Sequence, residues 1–348
     1  MKVGLLGPEG NFSPNSGAGI QRYMYELYNN LHKINKDIKK IEFKKSRFIG
    51  TGLSFAIRSL FNNFNNYDII HNLMPLPFLD IESMKKSYKI ITTAHDFQVL
   101  LYPEYTFDHG VTLKDKLWIQ LIIKPGYKTT LNSDFIIANS TQTKNEAVKL
   151  GFDKKKIFVV SHGIDKRFMQ PIKEKKKRDE FVVGYIGAMR KRKNLEFGIK
   201  AANMIKNKNI IFDIWGKKEF EYEYLADISK NKNINFNGFA PEKNLISIYD
   251  SFDAFIFPSY HEGEGLPILE AQSRGFPVII YKKGKIPKEV RKYCFEAESP
   301  EHMAQIIENL KENGYNETLQ KKATEYARSF TWENCAIKTL NVYEMVLK

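Results

Sequence analysis

The feature that most constrains the fold is a repeated alternation between short apolar runs and helix-like segments. Five runs rich in Ile, Val and Phe occur in the first half of the chain, at 2–6, 67–71, 89–94, 134–138 and 157–161. Each is short and nearly continuous, as is typical of strands that are buried on both faces. Apolar side chains recur at three- and four-residue spacing from Ile20 to Leu31, which predicts an amphipathic helix. This half of the chain therefore predicts a parallel sheet with helices on both faces.

The alternation begins again after residue 180. The second set of strand-like runs lies at 181–186, 210–215, 234–236, 253–257 and 277–281, with helix candidates at 194–205, 241–249 and 265–273. Because 348 residues exceed what one ordinary core holds, the expected fold class is α/β, with two doubly wound, Rossmann-like domains. We place these domains at 1–168 and 169–330, with a solvated connector at 166–180 and a final amphipathic helix at 331–348.

Composition excludes several protein classes. With 43% hydrophobic and 27% charged residues, the chain is folded rather than disordered. Two cysteines cannot by themselves build a disulfide framework or a zinc site, so a reducing cytoplasm is the expected compartment. No run approaches the roughly 20 apolar residues needed to cross a bilayer. A disulfide-rich secreted scaffold and a membrane-spanning protein are therefore not expected.

The net charge of +14 is concentrated in the first domain and the connector. Residues 1–170 carry 24 basic and 15 acidic side chains, residues 171–193 carry 9 and 3, and the remainder carry 21 and 22. A basic excess predicts an anionic partner: the phosphate of a small ligand, a membrane surface or nucleic acid. The alternative is that the basic residues only keep the protein soluble. Nucleic acid is not expected, because the sequence has no recognisable reading motif.

A chemistry-bearing loop follows the apolar run 253–257. Its candidate residues are Glu262, Gly263, Glu264, Gly265, Leu266 and Glu270. The glycines allow close backbone approach, and the helix start that follows offers free N–H groups to an oxyanion or to sugar hydroxyls. Paired carboxylates are good acceptors for vicinal hydroxyls. The alternative is an ordinary strand–turn–helix unit with surface glutamates.

A second candidate is the basic turn after the run 181–186. Arg190, Arg192 and Lys193 fall between a strand end and a helix start, where cations and free N–H groups bind phosphate. A solvated basic turn is the alternative interpretation.

Two candidates lie in the first domain. His95 follows the run 89–94, and its position at a strand end is by itself compatible with a core histidine. Gly17 and Gly19 form a glycine loop that would admit a ligand to the backbone. This loop fails as a dinucleotide fingerprint, because Arg22 stands where a third glycine belongs.

In combination, these residues resemble the retaining glycosyltransferases of family 4, which have the GT-B fold. The resemblance covers nearly the whole chain. The motifs that carry it, in the family's order, are Gly17-Ala18-Gly19-Ile20, Thr93-Ala94-His95-Asp96, Ala138-Asn139-Ser140, His162-Gly163-Ile164-Asp165, the stretch 187–194, Pro258-Ser259, the pair Glu262 and Glu270, and Gly275-Phe276-Pro277-Val278. Each motif is weak alone, whereas eight in order are specific.

The resemblance implies a role for each matching residue. Glu262 would bind hydroxyls of the donor sugar, and Glu270 the ribose of the nucleotide. Arg192 and Lys193 would hold the diphosphate, whose charge must be stabilised as the glycosidic bond breaks. The residues expected to be catalytic are His95, Glu262, Lys193 and Arg192. Those expected to bind the donor are Gly17, Gly19, Arg190, Gly263, Glu264, Gly265, Leu266 and Glu270.

The implied function is transfer of a hexosyl group from a UDP- or GDP-linked sugar to a hydroxyl of a glycan or lipid-linked acceptor, with retention at the anomeric carbon. The resemblance also implies that the second domain binds the nucleotide, that the first binds the acceptor, and that the last helix crosses back onto the first domain. We expect no metal and no cofactor, because the sequence has neither Asp-x-Asp nor His-Glu-x-x-His. A non-catalytic nucleotide-sugar or glycan-binding protein on the same fold is the alternative.

Two residues depart from the family pattern. Glu264 occupies a position that is often aromatic, and Ala188 stands where many members carry an arginine. The extra carboxylate of Glu264 leaves the identity of the donor open, and either Arg190 or Arg192 would take the place of the arginine missing at Ala188.

A basic amphipathic segment lies between residues 114 and 128. Four lysines, at 114, 116, 124 and 128, flank an apolar stretch that contains Trp118. This pattern is typical of a helix packed on a sheet with its lysines outward, and also of a segment lying in a membrane interface. The second interpretation predicts peripheral contact with the anionic inner face of a membrane.

Overall fold

The chain forms two compact units in a computed structural model that describes residues 1–13, 19–43, 64–75, 87–107, 110–172, 178–218 and 221–348. The first unit comprises Met1–Pro103, Val111–Gly163 and Thr331–Lys348. The second comprises Glu104–Gly110 and Ile164–Phe330. Gly17 and the lysines at 175–177 lie outside the described residues.

A six-stranded sheet forms the centre of the first unit, and all of its strand pairs are parallel. The strands are β1 (Val3–Pro8), β2 (Ile38–Phe43), β3 (Ile69–Asn72), β4 (Lys89–Ala94), β5 (Phe135–Ala138) and β6 (Ile157–Val159), in the order β2-β1-β3-β4-β5-β6. The helices that accompany them are α1 (Gly19–Ile34), α2 (Gln98–Leu101), α3 (Leu113–Trp118), α4 (Lys124–Leu131) and α5 (Thr141–Lys149).

Alternate residues of these strands enter different hydrophobic clusters. Leu5 packs with the buried face of α1, whereas its neighbour Leu6 packs with Ile70 and Ile90 in a separate cluster. Because successive strand side chains point to opposite faces, a sheet that is covered on both sides needs a continuous apolar run. The continuous apolar runs of the sequence therefore indicate strands that are buried on both faces.

The second unit repeats this plan with another six-stranded parallel sheet. Its strands are β7 (Phe181–Ile186), β8 (Ile210–Trp215), β9 (Ile234–Gly238), β10 (Ala254–Phe257), β11 (Val278–Tyr281) and β12 (Phe295–Ala297), in the order β12-β11-β10-β7-β8-β9. Its helices are α6 (Leu195–Met204), α7 (Tyr222–Ile228), α8 (Leu245–Asp250), α9 (Leu266–Ser273), α10 (Lys288–Arg291), α11 (Pro300–Asn313) and α12 (Glu317–Arg328). Here too the strands supply two clusters: Val183 and Ile256 pack with α6 and α11, and Val182 and Phe255 pack with α8 and α9.

The last helix, α13 (Trp332–Leu347), belongs to the first unit and packs against α1. Its residues Trp332, Ala336 and Tyr343 are buried in the same cluster as β1. Thr331 caps the helix by accepting a hydrogen bond from the Asn334 N–H at 3.0 Å.

The expected α/β class with two doubly wound sheets is confirmed, and each anticipated strand is present with its ends shifted by at most two residues. Two strands were not anticipated. β2 reads Ile-Lys-Lys-Ile-Glu-Phe and lies at a sheet edge, where one face is solvated and no continuous apolar run is needed. β12 is an edge strand of only three residues. Within the described ranges, no helix is both long and apolar enough to span a bilayer.

Candidate active site

The basic turn after β7 is fixed by close backbone packing. Gly187 and Gly216 approach so closely that a Cβ on Gly216 would lie 1.9 Å from the Gly187 carbonyl oxygen. The chain then forms a 3₁₀ turn at Lys191–Lys193, and Asn194 adopts a left-handed conformation (φ 50°) before α6 begins. Asparagine tolerates this conformation, and its side-chain amide donates to the Pro258 carbonyl at 3.0 Å. The turn is thereby anchored beside the end of β10.

A buried ion-pair cluster joins this turn to the loop after β10. Lys193 Nζ lies 2.7 Å from Glu262 Oε1 and 4.7 Å from the centroid of the Phe257 ring. Arg192 donates from its guanidinium to the other Glu262 oxygen at 3.3 Å. Lys193 and Glu262 are buried, whereas the Arg192 side chain is 31% exposed. The structure therefore brings together three of the four residues that the sequence marked as catalytic.

The charges of this cluster depend on one another. Burial alone would raise the pKa of Glu262, but Lys193 and Arg192 outweigh it and hold that pKa at about 2. Burial and repulsion from Arg192 lower the pKa of Lys193 to about 8, against the attraction of Glu262. All three groups are consequently charged at neutral pH. Lys193 carries three N–H donors, so its ammonium can bind a second anion while it contacts Glu262.

Backbone hydrogen bonds hold Glu262 in register with the basic turn. The Tyr260 N–H donates to the Arg192 carbonyl at 2.9 Å, and the Lys285 N–H donates to the Tyr260 carbonyl at 2.7 Å. The Glu262 N–H in turn donates to the Lys285 carbonyl at 2.9 Å. Glu262 therefore lies in a segment that is hydrogen-bonded both to the basic turn and to Lys285, rather than on a free loop.

The remaining residues of the glycine-rich loop lead into α9. Gly263 is half-buried and Glu264 is buried. Gly265 has φ 86°, a conformation that glycine adopts without the steric cost of a Cβ. The helix begins at Leu266 with Pro267 in its first turn, where a proline removes no intrahelical hydrogen bond.

Glu270 lies in α9, one turn beyond its start. Its Oε2 accepts a hydrogen bond from the Tyr249 hydroxyl of α8 at 2.8 Å. No sequence signal pointed to Tyr249, because a buried tyrosine at helical spacing is most simply a core residue. The contact follows from the packing of α8 and α9 in one cluster.

His95, in the first unit, is a buried neutral imidazole. Its Nε2 lies 2.9 Å from the Leu73 carbonyl, and because a carbonyl can only accept, Nε2 carries the proton. Burial and the neighbouring His162 lower the pKa of His95 to about 3. The Tyr23 ring packs edge-on against it, with centroids 5.0 Å apart. At neutral pH, His95 can therefore accept a hydrogen bond through Nδ1.

The other predicted residues have less defined surroundings. Gly19 is the exposed first residue of α1, and no described atom lies within 4 Å of the position its Cβ would take. Arg190 is half-buried and has an extended backbone directly before the 3₁₀ turn. The donor-binding roles expected for Gly17, Gly19 and Arg190 stay predictions.

A buried polar chain in the first unit was missed by the sequence reasoning. The Tyr23 hydroxyl contacts Thr93 Oγ1 at 2.8 Å, and Thr93 Oγ1 contacts His71 Nε2 at 2.8 Å. His71 Nδ1 then contacts the Tyr343 hydroxyl of α13 at 2.6 Å. The only sequence signal was polar residues inside otherwise apolar runs. These hydrogen-bonded side chains link two strands and α1 to the last helix, next to His95.

In the part of the chain that the structure describes, His, Cys, Asp and Glu side chains form no group of three that could hold a metal ion.

Two units, each built on a parallel, doubly wound sheet, have the architecture of the GT-B class of glycosyltransferases. The family assignment agrees with this class. The family described as Glycosyl transferases group 1 matches residues 166–330, and the family described as Glycosyltransferase Family 4 matches residues 32–168. The chain belongs to these group 1 and family 4 glycosyltransferases.

Curated relatives are similar over part of their length. O-antigen chain mannosyltransferase B of Escherichia coli is 24% identical over 277 residues, which is 74% of this chain and 71% of the relative. UDP-Gal:alpha-D-GlcNAc-diphosphoundecaprenol alpha-1,3-galactosyltransferase, also of Escherichia coli, is 32% identical over 163 residues, which is 42% of each chain. The second match thus spans less than half of either protein.

Solved structures share the fold over almost the full length. Sucrose-phosphate synthase from Thermosynechococcus elongatus superposes with a TM-score of 0.78 at 17% identity, covering 99% of this chain and 98% of the other. Anabaena HepE in complex with UDP and glucose superposes with a TM-score of 0.69 at 16% identity, covering 99% of each. At 16–17% sequence identity, the similarity of these structures establishes that the fold is shared.

Proposed function

We propose that this glycosyltransferase moves a hexosyl group from a nucleotide diphosphate sugar to an acceptor hydroxyl, with retention at the anomeric carbon. The observation that carries the proposal is the cluster of Lys193, Arg192 and Glu262 at the end of β10. It combines cations for a diphosphate with a carboxylate for sugar hydroxyls within one hydrogen-bonded group.

The proposed chemistry assigns each member of the cluster a task. The bond between the anomeric carbon and the donor phosphate oxygen breaks, and the acceptor oxygen bonds to that carbon from the same face. The acceptor proton passes to a phosphate oxygen of the leaving diphosphate. Lys193 and Arg192 stabilise the charge that develops on this group, which removes the need for a metal there. Glu262 orients the sugar through its hydroxyls, and Glu270 accepts hydrogen bonds from the ribose.

The donor is proposed to be linked to UDP or GDP, and the acceptor to be a glycan or a lipid-linked saccharide. UDP is named for the Anabaena structure and for the galactosyltransferase relative, and a mannosyltransferase is the other relative reported. The names of both relatives refer to an O-antigen chain or a diphosphoundecaprenol acceptor. These names support a role in glycan, polysaccharide or glycolipid biosynthesis. The cytoplasmic location expected from the two cysteines stays a prediction.

A panel of nucleotides tests the donor assignment. Purified protein is heated with UDP, GDP and their hexose conjugates, and a ligand that binds only the folded state raises the melting temperature. Glu262→Gln and Lys193→Met should abolish the shift and the turnover of the ligand that binds wild type. Lys200→Met is the matched control, since Lys200 also forms an ion pair, with Glu196 at 2.6 Å, but on the surface.

Two outcomes separate the possible functions. Transfer or hydrolysis of the sugar, with a product whose anomeric configuration matches the donor by proton NMR, supports a retaining transferase. Nucleotide-sugar binding without any turnover would instead favour a non-catalytic binding protein on the same fold.

A further inference from the structure

A short segment from the first half of the chain belongs to the second unit. Residues Glu104–Gly110 group with Ile164–Phe330, whereas the chain on both sides of this segment belongs to the first unit. We call this segment, of which the structure describes 104–107 and 110, the strap. The strap enters from a 3₁₀ turn at Pro103–Tyr105. It therefore adds to the second unit a piece of chain that lies outside 166–330, the range that the group 1 family matches.

The strap contacts the rest of the second unit through a stack of two rings. The Tyr105 ring lies face to face with the Tyr260 ring, with centroids 4.9 Å apart and planes inclined by 13°. Tyr260 also meets Tyr281 of β11 edge-on, with centroids 5.9 Å apart. Tyr281 in turn packs against Phe197 of α6, with centroids 4.9 Å apart. Because stacked and edge-on rings attract one another, rings of two other segments hold the Tyr260 side chain in place.

The backbone of Tyr260 connects the two halves of the ion-pair cluster. Its N–H donates to the Arg192 carbonyl, and its carbonyl accepts from the Lys285 N–H. The Lys285 carbonyl then accepts from the Glu262 N–H. Because both backbone groups of Tyr260 are tied in this way, a displacement of its ring is passed on to the loop that carries Glu262. The 2.7 Å contact between Glu262 and Lys193 depends on the position of that loop.

We propose that Tyr105 is a positioning residue of the donor site. Its ring holds Tyr260, and Tyr260 holds Glu262 beside the basic turn. The effect on donor binding rests on the proposed glycosyl transfer, whereas the positioning itself can be measured without a ligand. A displacement of about 1 Å in a group that orients a substrate can cost about 10²-fold in rate, so a contact remote from the reacting atoms can control the site.

Amide hydrogen exchange of the ligand-free protein tests the positioning. The Tyr260 and Glu262 amides, which are both hydrogen-bonded in the native loop, should exchange about three- to tenfold faster in Tyr105→Leu than in wild type, which is the loss expected for one aromatic pair. Tyr105→Phe should exchange at the wild-type rate, because the stack needs the ring and not the hydroxyl.

Tyr315→Leu is the matched control for this experiment. Tyr315 is also a half-buried tyrosine of the second unit, and its ring lies 5.9 Å from that of Phe295 on the edge strand β12. This variant should leave the exchange of the Tyr260 and Glu262 amides unchanged. Equal acceleration in Tyr105→Leu and Tyr315→Leu would reveal a general loss of stability, and unchanged exchange in Tyr105→Leu would show that the stack does not hold the loop. Either result overturns the proposal.

A double-mutant cycle tests whether the stack acts on the donor site. Calorimetry with UDP and GDP should show about three- to tenfold weaker binding in Tyr105→Leu and in Tyr260→Leu, since each removes the same pair of rings. The double variant Tyr105→Leu/Tyr260→Leu should bind as Tyr260→Leu does, because neighbouring residues that share one contact do not act additively. Two losses that simply add would contradict the coupling of Tyr105 to the site through Tyr260.

The positioning and the proposed function fail in different ways. If exchange rises at Tyr260 and Glu262 as expected but neither UDP nor GDP binds to wild type, the positioning contact is supported and the proposed donor is wrong. If wild type binds a nucleotide and Tyr105→Leu binds it equally well, the transferase stands and the role of Tyr105 in the donor site is overturned.

Discussion

Replacing Lys193 by methionine removes a buried cation while nearly preserving the side-chain volume. In the native protein the Lys193 ammonium is 2.7 Å from Glu262, and the variant would leave the partly exposed Arg192, at 3.3 Å, as the cation beside that carboxylate. Removing one partner of a buried pair costs about 3–5 kcal/mol, because the remaining charge stays buried without compensation. Since Arg192 remains, we expect the lower part of this range, about 3 kcal/mol in the free energy of unfolding.

A double variant separates this structural loss from the loss of catalysis. In Lys193→Met/Glu262→Met the uncompensated charge is gone, so most of the stability should return, as it does when a buried pair is replaced by apolar residues. Activity should not return, because the diphosphate still lacks its cation. We expect kcat/KM for the donor to stay about 10²–10³-fold below wild type in both variants.

Urea unfolding followed by circular dichroism and initial-rate kinetics on the same preparations provide the two readouts. Lys200→Met, which breaks the exposed pair with Glu196, should cost less than about 1 kcal/mol and leave the rate unchanged. The reasoning is refuted if the double variant recovers its turnover together with its stability, or if Lys193→Met leaves the donor kinetics at the wild-type level.

Four further predictions concern the second unit. The pKa of Glu262 is held at about 2, below its unfolded value of 4.5, so its contribution to the free energy of unfolding is present above pH 4.5 and is lost as pH falls toward 2; plots of unfolding free energy against pH for wild type and Glu262→Gln should differ in slope within that window and run parallel just above it. The pKa of Lys193 is lowered to about 8, so nucleotide affinity measured by calorimetry should fall above that pH, and Lys193→Arg should move the fall to higher pH; an unchanged profile would contradict the assigned contact. Gly216→Ala places a Cβ 1.9 Å from the opposite carbonyl oxygen, so it should displace the basic turn and weaken nucleotide binding at least tenfold, whereas retained affinity would show that the turn tolerates the shift. Arg274→Met leaves Asp250 without the guanidinium that contacts it at 2.7 and 2.8 Å, so a lowered melting temperature is expected, and an unchanged one would show that this buried pair is dispensable.

The residues of the candidate site that could be predicted from the sequence are those that stand within a local motif. Lys193 and Glu262 each stand at a strand end before a helix, and the carboxyl ends of neighbouring parallel strands meet at one edge of a sheet. The family resemblance assigned the two residues to one site, and the structure shows that β7 and β10 are neighbours in the sheet. The left-handed conformation of Asn194, the one non-glycine residue with positive φ among those described, was not predicted from the sequence.

Residues that act by packing across elements could not be read in this way. Phe257 under the Lys193 ammonium, and Tyr249 on Glu270, look like ordinary core aromatics in the sequence. The link from His71 to Tyr343 joins residues 272 positions apart. No local pattern distinguishes such pairs, because their chemistry depends on which faces of two elements meet.

The sequence by itself determined the class of the fold, the number of sheets and the position of the two charged loops, because strand burial, turn chemistry and charge are local properties of the chain. The ionised state of Glu262 between two cations, and the neutral His95 with its proton on Nε2, became apparent only in the folded structure. These properties arise from burial and from contacts between distant segments, and neither exists until the chain has folded.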